Sequence, residues 1–169
     1  MTKEPEATKR VLAVASGGGH WVQLMRLRPA WQGCDVAYLT TNESYGDPLR
    51  QDAEREGLPP PRFYVTVSAN RWQKLRLVRQ LVAICWIVAK ERPAVIVSTG
   101  ASPGYFAIRL GKMMGARTVW IDSIANGSEM SLAGLKAGKL ADLWLTQWES
   151  VSQATMVDGR RPEYWGAVL

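Results

Sequence analysis

One histidine, two cysteines and no long apolar run mark what these 169 residues have little of. Cys34 and Cys85 have neither metal-ligand spacing nor the density of a disulfide framework, which excludes a zinc module and a stapled secreted scaffold. Reduced thiols in a cytoplasmic setting are the expectation. No stretch reaches the ~18 uninterrupted apolar residues that a spanning helix needs; the longest candidate, Leu81 to Ala89, is flanked by Arg79, Lys90 and Arg92. The leader MTKEPEATKR is polar and no apolar segment follows its charges, so no secretory signal is read. Acids are scarce in one place above all. Arg71 to Arg92 carries six Lys or Arg against Glu91 alone, and so supplies five of the six net positive charges. A basic surface of this kind attracts phosphate, on nucleic acid, anionic lipid or a phosphorylated ligand. No RNA or DNA recognition motif accompanies it, so no nucleic-acid partner is expected.

What the chain does have is 47% hydrophobic content, enough for one core. A single domain over residues 10–169, after a solvated leader over 1–9, is expected. Short runs rich in β-branched residues, Val11 to Ala15, Val36 to Thr40, Phe63 to Val67, Ala94 to Ser98, Thr118 to Ile121 and Leu143 to Leu145, read as strands. Between them Trp21 to Ala30, Asp47 to Glu56, Trp72 to Lys90, Pro103 to Met114 and Leu132 to Lys139 read as helices. Strict alternation predicts the doubly wound α/β class, a mostly parallel sheet covered on both faces.

In such a sheet ligands gather where strands end and helices begin. Each unusual loop falls there: SGGGH after the first strand, STGASPG after the fourth, IDSIANGSEMS after the fifth and TQWES after the sixth. Ser16-Gly17-Gly18-Gly19 can bring backbone N–H groups close to a phosphate, or can make only a tight turn. The dinucleotide fingerprint fails, since Val22 stands where its third glycine belongs and Thr40-Thr41-Asn42 supplies no acid for a ribose. His20 lies where a helix begins, and the positive helix end favours the neutral imidazole. It is a candidate general base; hydrogen bonding to a loop carbonyl is the alternative. Thr99, Gly100 and Ser102 offer hydroxyls and N–H groups to a second oxyanion or a sugar, with Ser102 the expected N-cap. Asp122, Ser123 and Asn126 are candidate sugar ligands, while Ser128 and Glu129 can instead cap the following helix.

The basic segment projects as a helix with Leu77, Leu81, Ile84 and Val88 toward the core, Leu75, Val78, Val82, Cys85 and Ala89 beside them, and Trp72, Arg76, Arg79, Trp86 and Ile87 on the outer face. Tryptophans among cations suit a lipid interface; a solvated basic rim or a protein contact is the alternative. The terminal Tyr164, Trp165, Val168 and Leu169 form an apolar tail, expected either to dock on a partner or to pack back on its own sheet.

SGGGH, STGASPG, WIDSIANGSEMSLAGLKAGKLADLWLTQW and a terminal YWGAVL, in this order, resemble the split GT-B glycosyltransferase subunits. These include the membrane-recruiting subunit of the eukaryotic dolichol-linked GlcNAc transferase and PssD-like bacterial exopolysaccharide subunits, with the N-terminal domain of MurG more distant. The resemblance implies a Rossmann-like half of a GT-B enzyme that binds a polyprenyl-diphosphate-linked acceptor, while a separate donor-binding subunit holds most of the UDP-sugar. It implies inverting, metal-independent, cofactor-free transfer at the cytoplasmic face of the cell membrane, for bacterial polysaccharide biosynthesis. Carried over, Gly17, Gly18 and Gly19 line the diphosphate, His20 is the base, and Ser123 and Asn126 lie in the acceptor loop. Relatives carry Glu where this chain has Asp122, and Arg near Asn126. With no N-terminal anchor read, the basic tryptophan helix is expected to supply contact with an anionic membrane.

Overall fold

The structure, a computed structural model, describes residues 8–70 and 72–168; Leu169, Arg71 and most of the leader lie outside them. Seven strands, β1 (Arg10–Val14), β2 (Asp35–Thr40), β3 (Arg62–Val65), β4 (Val95–Ser98), β5 (Arg117–Ile121), β6 (Leu143–Thr146) and β7 (Glu163–Tyr164), form one sheet in the order β3-β2-β1-β4-β5-β6-β7. Every pairing is parallel, with Val11 opposite both Val36 and Val95. The central strands are buried on both faces, which is why they are continuous apolar runs rather than alternating ones.

Six helices connect them: α1 (Gly19–Arg26), α2 (Gly46–Arg55), α3 (Lys74–Glu91), α4 (Ala101–Met113), α5 (Leu132–Gly138) and α6 (Glu149–Ala154). α1 and α2 cover one face, where Trp21, Leu24, Trp31 and Leu49 pack on Ala13, Tyr38 and Val97. α3, α4 and α5 cover the other, where Ile84, Val88, Ile108 and Ala137 meet Leu12, Leu39, Ile96, Trp120 and Trp144. This is the expected doubly wound Rossmann-like class. The first helix ends at Arg26 rather than Ala30, because Pro29 passes the chain into a single 3₁₀ turn over Arg28–Trp31. α6 and β7 are additions, both too short to leave a period in the sequence.

The outer helix is rotated from the face its spacing predicts: Ile84 and Val88 of the expected stripe are buried, but Leu77 is half-buried and Leu81 exposed. The buried positions of α3 are Gln80, Ile84, Ile87, Val88 and Glu91. Ile87, expected on the outer face, is only 3% exposed, whereas Leu75, Val78, Leu81, Val82 and Trp86 point outward with Arg76, Arg79 and Lys90. Two polar residues decide the rotation. Gln80 Nε2 donates to the Val67 carbonyl at 2.7 Å, and the buried Glu91 carboxylate accepts from Arg62 Nε at 2.9 Å and from the Tyr64 hydroxyl. A buried carboxylate is tolerable only with such partners. Burial and the adjacent Glu91 charge push the Tyr64 phenol above its ordinary value. No helix among the described residues is long and apolar enough to cross a membrane.

Candidate active site at the crevice between β1 and β4

Strand order reverses at β1, whose neighbours β2 and β4 are reached by chain paths running in opposite directions. That reversal opens a crevice at the carboxyl ends of β1 and β4. α1 begins five residues after β1 ends and α4 begins three after β4 ends, so two helix N-termini flank it. The first N–H groups of a helix have no intrahelical acceptor, and both helices present their positive ends here.

His20 sits between them. Its Nδ1 lies 2.8 Å from the Thr99 carbonyl oxygen, and the Thr99 hydroxyl donates back to the His20 carbonyl at 2.7 Å. A carbonyl only accepts, so Nδ1 carries the hydrogen, and the tautomer this bond selects has its lone pair on Nε2, open to another group. The loop-carbonyl bond expected as an alternative to the base is thus present, and it fixes the tautomer a base needs. Gly100 is shaped by the same ring. A Cβ there would lie 2.5 Å from His20 Cε1 and Nδ1, and the residue holds φ +138°, a conformation that side-chain-bearing residues rarely adopt.

The glycine loop is more occupied than expected. The Gly17 N–H donates to Thr41 Oγ1 at 3.0 Å and the Gly18 N–H to the Tyr45 hydroxyl at 2.9 Å. Those two groups therefore belong to the fold, and the N–H groups of Gly19 and His20, at the first two positions of α1, remain for an anion. Tyr45 is itself held by stacking on Trp21, ring centroids 4.7 Å apart. The Ser16 hydroxyl turns back to the Gly17 carbonyl at 3.4 Å. Ser102 is not the N-cap of α4. Gly100 takes that place, and Ser102 Oγ donates to the Ala69 carbonyl at 3.2 Å, tying the loop after β3 to the crevice wall.

Asp122 also departs from the expected ligand role. Asp122 is 1% exposed, and its carboxylate accepts from Trp120 Nε1 (3.2 Å), Asn126 Nδ2 (3.0 Å), the Ser131 N–H (2.9 Å) and Ser131 Oγ (2.6 Å). Both oxygens are consumed in shaping the loop before α5. Ser131, not Ser128 or Glu129, caps that helix by accepting from the Gly134 N–H. Ser123 Oγ accepts from Gln23 Nε2 at 3.4 Å and from the Ala125 N–H at 3.3 Å. Asn126 Nδ2 donates one hydrogen to Asp122, which leaves its second amide hydrogen and its carbonyl oxygen available at the loop surface.

Sequence reasoning missed Gln23 and placed Gln147 only within TQWES, with no role; the two join this loop to α1. Gln147 Nε2 donates to Gln23 Oε1 at 3.1 Å and to the Asp122 carbonyl at 2.8 Å. The only sequence signal is a glutamine at a strand's carboxyl end, in TQWES. The tail returns to the same point: Tyr164 pairs in β7 beside Thr146, and the Val168 N–H donates to Gln147 Oε1 at 2.8 Å. Trp165 stays 69% exposed, and Leu169 lies outside the described residues.

No family model matches the chain. The UDP-N-acetylglucosamine transferase subunit ALG14 of Candida albicans is 33% identical over 167 residues, covering 90% of this chain and 74% of that protein. The chain belongs to the ALG14 family of glycosyltransferase subunits. Among solved structures, MurG of Acinetobacter baumannii superposes with a TM-score of 0.63 at 11% identity, covering 94% of this chain and 45% of that one. The UDP-GlcNAc 2-epimerase of Methanocaldococcus jannaschii, solved with UDP-GlcNAc and UDP, gives 0.66 at 12% identity over 94% of this chain and 46% of its own. A glycosyltransferase of Rickettsia africae gives 0.64 at 11% identity, over 95% and 43%. At these identities the likeness is one of fold, the Rossmann-like half of GT-B proteins, and this ALG14-family chain spans less than half the length of each.

Proposed function

We propose that this chain is the acceptor-binding, membrane-docking subunit of a two-component glycosyltransferase. It transfers a sugar from a UDP-sugar onto a polyprenyl-diphosphate-linked saccharide in bacterial polysaccharide biosynthesis, at the inner face of the cell membrane. The observation that carries the reading is His20, held by the Thr99 carbonyl at 2.8 Å between two helix N-termini, on one wall of a crevice. His20 Nε2 takes the proton of the acceptor hydroxyl, the oxygen attacks the anomeric carbon from the face opposite the nucleotide, and UDP leaves with the bonding pair. Inversion follows from this single displacement, and no metal or cofactor enters it. The N–H groups of Gly19 and His20 and the start of α4 face the acceptor diphosphate. A donor-binding partner subunit closes the other wall, since transfer between two substrates needs both in one water-poor cleft. The apolar tail at Tyr164, Trp165 and Val168, with Leu169 beyond it, extends that partner interface. The outer face of α3, with Leu75, Val78, Val82 and Trp86 among Arg76 and Arg79, and Trp72 in the turn before it, meet an anionic membrane surface. Mixing the purified chain with its partner, a UDP-sugar and a lipid-linked acceptor tests the proposal: turnover appears only in the mixture.

A second reading is a noncatalytic module that recruits a complete partner transferase to the membrane. It is favoured by the internal use of the Gly17 and Gly18 N–H groups and of the Asp122 carboxylate, which leaves fewer groups for substrate. His20→Ala separates the two, because only the catalytic reading predicts lost turnover with unchanged membrane binding.

A further inference from the structure

Along α4 and the end of α5 runs an open groove of about 460 Å³ lined by Tyr105, Arg109, Lys112, Met113, Lys136, Lys139 and Leu140. Four of the seven side chains are cations. Like charges this close repel unless something compensates them, and two are compensated: Lys112 pairs with Asp142 and Lys139 with Asp158 at 3.0 Å. Arg109 and Lys136 have no carboxylate within ion-pair distance among the described residues; Arg109 Nη1 reaches only the Tyr105 hydroxyl, at 3.5 Å. The rest of the lining is apolar, with the half-buried Tyr105 and Leu140, the exposed Met113 and the methylene stems of the lysines. Cations beside apolar side chains fit a ligand that joins a phosphate to an apolar body.

We propose that this groove binds the phosphate headgroup of an anionic membrane lipid, with Arg109 and Lys136 as its phosphate ligands. The proposal rests on the membrane-docking reading of α3 and extends it to a second, chemically distinct contact. α4 packs between α3 and α5 on one face of the sheet. A bilayer resting on the outward Leu75, Val78, Val82 and Trp86 of α3 therefore lies on the same side of the sheet as α4 and α5, whose residues line the groove. Arg109 supplies the planar fork that suits a phosphate and Lys136 a point charge beside it. α3 contributes insertion of apolar side chains; the groove contributes headgroup recognition.

The test uses the full chain with two side-chain pairs neutralised separately. R109Q/K136Q removes two exposed groove cations that make no ion pair among the described residues, whereas R50Q/R55Q removes the same charge from α2 on the opposite sheet face. In sedimentation with phosphatidylcholine vesicles containing phosphatidylglycerol, the first pair loses about tenfold or more in affinity and the second less than about twofold. In a parallel arm, dioctanoyl phosphatidylglycerol below its micelle concentration shifts the NMR side-chain signals of Arg109 and Lys136 in the wild-type chain and in L75E/V82E alike. Equal loss for the two pairs, or no shift with the soluble lipid, overturns the groove site. Pyrophosphate that reproduces the shifts at the same concentration also overturns it, because the groove then reads free phosphate. Failure of the α3 reading is separate: L75E/V82E then leaves vesicle binding intact.

Discussion

His20 and Thr99 hold each other twice, Nδ1 to carbonyl at 2.8 Å and hydroxyl to carbonyl at 2.7 Å, across 79 residues of chain. This pair of hydrogen bonds couples the start of α1 to the end of β4, so that the imidazole is fixed where the two helix N-termini converge. His20→Ala is expected to lower the turnover of the reconstituted transferase by about 10²–10⁴-fold, the range for a positioned general base. Its thermal midpoint should fall by no more than about 3 °C, as for one lost hydrogen bond. Steady-state kinetics and a melting curve on the same preparation check both.

Gly100→Ala tests the geometry rather than the chemistry. The new methyl would occupy the space of the His20 ring, 2.5 Å from its atoms, at a backbone angle unfavourable for alanine. A displaced imidazole should cost about 10² in kcat. In the double variant with His20→Ala the two losses should not add, because both act through one ring.

Asp122→Ala distinguishes a scaffold carboxylate from a sugar ligand. Removing it leaves the donors on Trp120, Asn126 and Ser131 without their acceptor, at about 1–3 kcal/mol for each buried group. The expected result is a large fall in the denaturation midpoint. A ligand role predicts the reverse pattern, a raised KM at unchanged stability.

The Lys112 ammonium, with the Thr118 N–H and hydroxyl, holds the Asp142 carboxyl below its ordinary range. The folded state therefore binds this proton less readily than the unfolded chain. The stability so gained is present above the unfolded value, about pH 4, and is lost as pH falls through the depressed folded value. Asp142→Asn should destabilise by about 1 kcal/mol at pH 7, and the gap from wild type should close toward pH 2–3 in urea titrations.

On α3 the two faces give opposite outcomes. L75E/V82E on the outer face should release the protein from anionic vesicles with little change in melting. Ile87→Ala should leave vesicle binding alone and cost about 2–4 kcal/mol, since Ile87 is buried against the sheet.

These contrasts show where the sequence was readable. Strands such as Val11 to Ala15 and the loops between them are local signals, and a parallel sheet follows from their alternation with helices. Which way α3 faces is not local: the helix is apolar nearly all round, and Gln80 and Glu91 choose the buried side through Val67, Arg62 and Tyr64, none of which lies on α3. Asp122 in the sequence is an acid in a polar loop, and only the fold reveals that its oxygens are spent on Trp120, Asn126 and Ser131. His20 was legible because it is the sole imidazole beside a glycine turn, while its anchor at Thr99 depends on β1 and β4 being neighbours.

Sugar transfer from a labelled UDP-sugar to a polyprenyl-diphosphate-linked acceptor, followed for this chain alone, for its partner alone and for an equimolar mixture, is the decisive measurement. One wall of a crevice predicts turnover in the mixture only, abolished there by His20→Ala. Full turnover by the isolated chain, or an undiminished rate with His20→Ala in the mixture, contradicts it.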